Sequence, residues 1–175
     1  MSTRSSTMFI EGNRIVCHIY RQCDGYPTGH GLELARACNV KLLDGVSSAY
    51  TVNDYANGIG CLAATAVGKL KQQMLGNVYL APPDEKPCDW VEYVYIVRQT
   101  AVGKPPSIEC STKSGSWPFN LQNAGHVFTG TPAAWIAKYE AEKLAKEKPT
   151  HIATIFVTAS EVVAKRRSRK TGAAS

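Results

Sequence analysis

Between Arg21 and Gly31 the chain reads RQCDGYPTGHG, gathering a guanidinium, a carboxylate, a phenol and an imidazole in one short stretch. Each suits a phosphorylated, base-bearing ligand. An arginine offers a planar fork of donors to phosphate, and a tyrosine offers a rigid face to a base. An imidazole donates or accepts according to its protonation. Gly29, His30 and Gly31 stand just ahead of an expected helix, whose first amides lack intrahelical partners and attract anions. The expected ligand set is therefore Arg21, Asp24, Tyr26, Gly29, His30 and Gly31, with Asp24 either holding Arg21 or accepting from a ribose hydroxyl. The competing explanation is turn chemistry, with Asp24-Gly25 and Pro27 bending the chain and Tyr26 packing.

A second glycine-bearing helix start, Asn57-Gly58-Ile59-Gly60, adds Asn57 and Gly58 to the candidate ligand-binding residues. It lacks the third glycine and the preceding strand of a dinucleotide fingerprint, so Asn57 as a helix cap is the stronger reading. Cys17 and His18 are adjacent but point to opposite faces of a strand, which rules them out as a thiol–base pair. Tyr93 and Tyr95 share a strand face and either stack a base or pack under a helix. No phosphate-binding loop, nucleophile elbow or zinc-protease helix is present. The six cysteines show no C-x-x-C spacing and the four histidines are scattered. No catalytic residue, cofactor or metal is assigned.

The elements that must position these residues follow from periodicity and punctuation. Met8–Ile10 and Arg14–Arg21 read as strands joined by a tight turn at Gly12-Asn13. A short helix follows from Leu32 to Cys38, then an irregular stretch from Asn39 to Asn57. Ile59, Leu62, Ala63, Ala66, Val67, Leu70 and Met74 fall on one side of a helix. Strands are expected at Val78–Leu80, Trp90–Arg98, Ser107–Ser111 and His126–Thr129. Thr131-Pro132 then opens a helix running to Lys146, and Ile152–Thr158 reads as a last strand. Hairpins mixed with helices imply an α+β fold: a mainly antiparallel sheet with two or three helices.

At 175 residues with 44% hydrophobic content the chain suits one domain with a true core. The expected layout is a disordered segment over residues 1–7, a single domain over 8–160, and a disordered basic tail over 161–175. The net charge is +6, and Lys165, Arg166, Arg167, Arg169 and Lys170 carry most of it. The body is thus nearly neutral, which argues against a nucleic-acid-binding face and leaves only weak, salt-sensitive contact through the tail. The N-terminus lacks the apolar stretch of a signal peptide, and no run reaches the ~20 residues that span a bilayer. These features point to a cytoplasmic, non-membrane protein with free thiols.

Five segments also carry a resemblance: IYRQCDGYPTGHGLELA (Ile19–Ala35), NGIGCLAATAVGKLK (Asn57–Lys71), NVYLAPP (Asn77–Pro83), EYVYIV (Glu92–Val97) and VFTGTPAAWI (Val127–Ile136). In this order they resemble a family of small uncharacterised proteins of tailed bacteriophages, prophages and bacteria that carry Y-R-x-x-D-G-Y-P-x-G-x-G. The resemblance implies a phage or prophage context and a host-cytoplasmic setting, without a mechanism. The chain departs from that pattern in its basic tail and at Cys23, where an aromatic or larger residue is common. Together with the loop chemistry it leads to the expectation of a phage accessory protein, of the anti-defence kind, that sequesters a nucleotide-like small molecule without catalysis. Two alternatives stand beside it. One is a protein-interaction module, such as a host-directed inhibitor, assembly component or homo-oligomer. The other is a phosphodiesterase or nuclease using His30 and Asp24.

Overall fold

The strand order of the sheet is set by a hairpin and closed by a distant strand. In the computed structural model, which describes residues 2–45, 55–73, 76–112 and 125–147, β1 (Ser5–Glu11) turns at Gly12, φ +58°, into β2 (Arg14–Arg21). A single turn of π-helical geometry, Pro27–Gly31, runs directly into α1 (Leu32–Ala37). There follow β3 (Lys41–Leu43), β4 (Tyr55–Asn57), α2 (Gly58–Gln73), β5 (Val78–Ala81), β6 (Tyr93–Arg98), β7 (Ser107–Thr112), β8 (His126–Gly130) and α3 (Pro132–Glu147). The main sheet has six strands in the order β5-β2-β1-β6-β7-β8, and β3 pairs with β4 as a separate parallel ribbon. All pairs of the main sheet are antiparallel except β1 with β6. The α+β class and the mainly antiparallel sheet are as the sequence implies.

The chain divides into two compact units, Met1–Tyr139 and Glu140–Ser175. The first holds the whole sheet and every residue considered below. Of the second, only the end of α3 is described. The expected strand at Ile152–Thr158, the tail from 161 and the helix position Met74 lie outside the described residues. No helix among the described residues is long and apolar enough to cross a membrane.

Both faces of the sheet's middle are covered. On one face Phe9, Ile19, Tyr95, Val97 and Ile108 meet Leu34, Leu62, Leu70 and Trp135 in the larger core. On the other, Met8, Ile10, Val94 and Ile96 pack with Val91, Ile15 and Cys88. The 3.6-residue period of α2 is what buries Ile59, Leu62, Ala66 and Leu70 together. At α3 the Thr131 hydroxyl accepts from the Ala134 amide at 3.3 Å, the expected cap. None of the six cysteines, all within the described residues, is in a disulfide.

Four local expectations change. Residues 5–7 are not frayed: Ser5, Ser6 and Thr7 lie in β1 at 0–1% exposure, between two partner strands that take up their backbone groups. Two of the three hydroxyls, those of Ser6 and Thr7, bond to imidazoles. In β2 the alternation breaks, because Phe9 faces Cys17 while Ile10 faces Ile15. The bulge at Val16 sends Ile15 to one core and Cys17 and Ile19 to the other. The strand expected from Trp90 begins at Tyr93, since the Val91 amide closes a turn on the Cys88 carbonyl. The stretch from Asn39 to Asn57, expected to be irregular, supplies β3 and β4.

Candidate functional site

The Arg21–Gly31 segment is folded back on the body, and its polar groups are engaged there. Arg21 ends β2 on the side of the larger core, 5% exposed. Its Nε donates to the Cys23 carbonyl at 2.7 Å, and its Nη1 pairs with the Glu33 carboxylate of α1 and reaches His30 Nδ1 at 3.2 Å. A guanidinium only donates, so Nδ1 of His30 is the bare nitrogen. Nε2–H therefore donates to Thr7 Oγ1 at 2.7 Å. Complete burial, reinforced by the neighbouring Arg21 charge, pushes the His30 pKa down to about 3. The imidazole is neutral and has no free nitrogen.

The helix-start amides expected to hold an anion are likewise in use. The Gly29 and Gly31 amides donate to the Tyr26 carbonyl at 3.0 and 3.4 Å, and the His30 amide to the Asp24 carbonyl at 2.8 Å. Asp24 sits at φ +57° to bring its carbonyl there. The Gly25 amide meets the Thr3 carbonyl at 2.9 Å, and the Gly25 carbonyl accepts from Tyr95 at 2.8 Å. Close packing explains two of the glycines. A Cβ at Gly25 would lie 2.6 Å from the Arg4 backbone, and one at Gly31 would lie 2.7 Å from the Trp135 ring. Asn77 completes the clamp, its side chain bonding both the amide and the carbonyl of Cys23 at 2.6 and 3.2 Å.

Arg21 and His30 thus come together with Thr7 and Glu33 as an internal clamp, which leaves Asp24 and Tyr26 as the segment's exposed members. Partial burial and then the Asp24 carboxylate beside it raise the Tyr26 phenol above its ordinary range. Asn57 does not cap α2: its side chain accepts from the Gly45 amide at 3.0 Å. Gly58 takes φ +71°, which accounts for a glycine at that position. Tyr95 is fully buried against His30 and Trp135, so the tyrosine face of β6 is core.

A different concavity opens on the opposite face of the sheet. Residues Pro82–Trp90 leave the end of β5 and lie across β1 and β2, enclosing a cleft of about 430 Å³. Its floor holds Ser6 and His18, and its walls include Tyr20, Gln22, Tyr79, Leu80, Glu85, Lys86, Cys88 and Trp90. The Tyr20 and Tyr79 rings face one another across β2 and β5, 6.1 Å apart and tilted by 38°. Trp90, Leu80 and Tyr79 are 63%, 67% and 48% exposed, an unusual concentration of large apolar side chains in solvent. His18 is 3% exposed, with Nδ1 3.2 Å from the Pro82 carbonyl and Nε2 3.1 Å from Ser6 Oγ.

These residues escape a reading by motif because they come from three separate segments. The one signal was the hairpin itself. Its turn at Gly12-Asn13 brings β1 beside β2, but only the bulge at Val16 moves Ser6 from Ile19 to lie opposite Tyr20 and diagonal to His18. Among the described residues no three His, Cys, Asp or Glu side chains converge as a metal site. Compared with protein-family models, curated proteins and solved structures, the chain matches none.

Proposed function

We propose that the chain is a binding module whose seat is the cleft under Pro82–Trp90, and that its ligand is a nucleotide-like small molecule. The observation that carries this reading is the convergence of Tyr20, Tyr79 and Trp90 with Gln22, Glu85 and Lys86 around a volume of about 430 Å³. That size lies within the range of small-molecule sites, which combine apolar walls with a few polar groups. The aromatic rings suit a base, Gln22 and Glu85 suit its hydrogen-bonding edge, and Lys86 suits a phosphate. The Arg21–His30 clamp takes a supporting role, because it ties the end of β2 to α1 while Gln22 beside it lines the cleft. The likeness of the RQCDGYPTGHG segment to small phage and prophage proteins makes a phage accessory role the setting of this proposal.

Trp90 supplies the test. Titration with linear and cyclic nucleotides should change its emission in the wild type and leave the Trp90→Phe emission unmoved. Trp90→Ala should bind about 10-fold more weakly, the loss of one stacking contact. If no nucleotide alters the emission, or if the alanine variant binds as well as wild type, the ligand class is wrong. Leu80, 67% exposed on the outer strand β5, favours a second reading. In that reading the apolar rim docks a protein, and Leu80→Asp would abolish capture of that partner.

A further inference from the structure

Neighbouring residues of β1 each carry a hydroxyl bonded to an imidazole, one on either face of the sheet, and the two pairs have opposite polarity. Thr7 receives a hydrogen bond from His30, whose other nitrogen faces the Arg21 guanidinium. That imidazole has no lone pair left to take a proton. His18 is arranged the other way. Its Nδ1 faces the Pro82 carbonyl, which only accepts, so Nδ1 carries the hydrogen and Nε2 is bare. Ser6 Oγ–H therefore donates to Nε2 at 3.1 Å. The Pro82 carbonyl is itself fixed, because it also accepts the Glu85 amide at 3.1 Å.

Hydroxyl, bare imidazole nitrogen and an oriented second nitrogen form the sequence required of a nucleophile, its base and the group that sets the tautomer. This pair, unlike the other, lines an open cleft. We propose that Ser6 and His18 are the nucleophile and general base of an acyl-transfer site in the cleft floor, acting on a carboxylic ester. The inference rests on the cleft being the ligand's seat.

Ser6 Oγ bonds to the ester carbonyl carbon as His18 Nε2 takes its proton. Collapse of the tetrahedral adduct breaks the bond to the leaving alcohol, which receives that proton from His18. Water then attacks the acyl-serine, giving its proton to His18. His18 returns the proton to Ser6 as the carboxylic acid departs. Ester and water become acid and alcohol, with no other reactant. Lys86, the cation of the cleft lining, provides positive charge for the oxyanion. Burial lowers the His18 pKa below its usual 6.5, opposed by the Pro82 hydrogen bond and the Glu85 carboxylate. The base form is therefore present at neutral pH.

A fluorophosphonate probe tests the pair directly, since Ser6 would displace fluoride and keep the phosphonyl group, read as added mass on the Ser5–Arg14 peptide. Full-length wild type should be labelled on Ser6, Ser6→Ala should not, and His18→Gln should react about 100-fold more slowly, the scale of a general base. The wild-type labelling rate should be level above pH 7 and fall below pH 6.5 as His18 protonates. Glu85, Lys86, Tyr20, Tyr79 and Cys88 are the other titratable groups lining the cleft. Ser6→Cys guards against loss of fold: its thiol should alkylate readily at pH 6.5, and His18→Gln in the same chain should suppress that reaction. Absence of a Ser6 adduct on folded protein, or labelling equally fast without His18, overturns the assignment. Nucleotide quenching of Trp90 without a Ser6 adduct keeps the binding reading and removes the catalysis. A Ser6 adduct without nucleotide quenching supports the catalysis and removes the nucleotide.

Discussion

If Arg21 is a clamp rather than a ligand contact, its removal must be felt in the fold. In Arg21→Met three acceptors lose a donor: the Cys23 carbonyl, His30 Nδ1 and the Glu33 carboxylate. They do not suffer equally. The Cys23 carbonyl keeps its bond from Asn77 at 3.2 Å, and Glu33, with a quarter of its side chain exposed, can turn to water. The bare nitrogen of His30, fully buried, has no substitute donor. Stranding that nitrogen costs about 1–3 kcal/mol, and loss of a charge-assisted bond about 1.5–3 kcal/mol, the latter reduced because Glu33 is partly hydrated. Together these span about 2.5–6 kcal/mol, and with the Glu33 contribution reduced the middle of that range is about 3–4 kcal/mol, within the range for breaking a buried ion pair from one side. At roughly 2–4 °C per kcal/mol for a chain of this size, the melting temperature should fall by about 10 °C. Arg21→Lys should recover part of this, because an ammonium cannot serve Glu33 and the Cys23 carbonyl in one plane. Thermal melts followed by circular dichroism at pH 7 would decide. A methionine variant melting within about 2 °C of wild type would falsify the clamp and return Arg21 to the surface chemistry its sequence context suggested.

Two further outcomes follow from the buried groups. His30 titrates near 6.5 when unfolded and at about 3 when folded, so between these values the unfolded chain binds one more proton. Its contribution is complete above pH 6.5 and is lost as pH falls, at about 1.4 kcal/mol per pH unit. Urea midpoints at pH 7, 6 and 5 should decline in the wild type and less steeply in His30→Gln, whereas equal slopes would contradict the burial. Leu62 and Leu70 lie at 0% and 2% exposure on the core side of α2. Changing either to alanine should cost about 2–5 kcal/mol by denaturant titration, and an unchanged midpoint would mean that α2 is not the main core helix.

What could be read from the sequence was what has local punctuation. The Gly12-Asn13 turn, the apolar stripe of α2 and the Thr131-Pro132 cap each carry their own signal, and their elements lie where that signal puts them. The start of β1 did not, because Ser5, Ser6 and Thr7 look hydrophilic, and the imidazoles that justify burying two of these hydroxyls arrive from residues 18 and 30. The bulge at Val16 is equally silent, as nothing in RIVCHIYR marks which residue is left over. Local chemistry was misleading in RQCDGYPTGHG for a related reason. The donors that recognise a phosphate are the same ones that bind carbonyls and a carboxylate of the chain itself. Residue types cannot say whether those donors are already occupied. His18 was correctly separated from Cys17, yet its partner Ser6 lies on the neighbouring strand.

The parallel pairing of β1 with β6 also has a bearing on how the protein is made. β1 gains its hairpin partner within a few residues of leaving the ribosome, but its other edge waits for Tyr93–Arg98, roughly 90 residues later. At about 5–20 residues per second, that edge stays open for about 5–20 s. During that interval Met8, Phe9 and Ile10 form an uncovered apolar strand with unpaired amides, the kind of template on which nascent chains associate. Slowing synthesis between residues 21 and 93 should therefore lower the yield of native protein more than an equal delay after residue 98. Such non-local pairing also slows folding relative to a sheet built from hairpins alone, since the chain between β1 and β6 must close before the centre of the sheet exists.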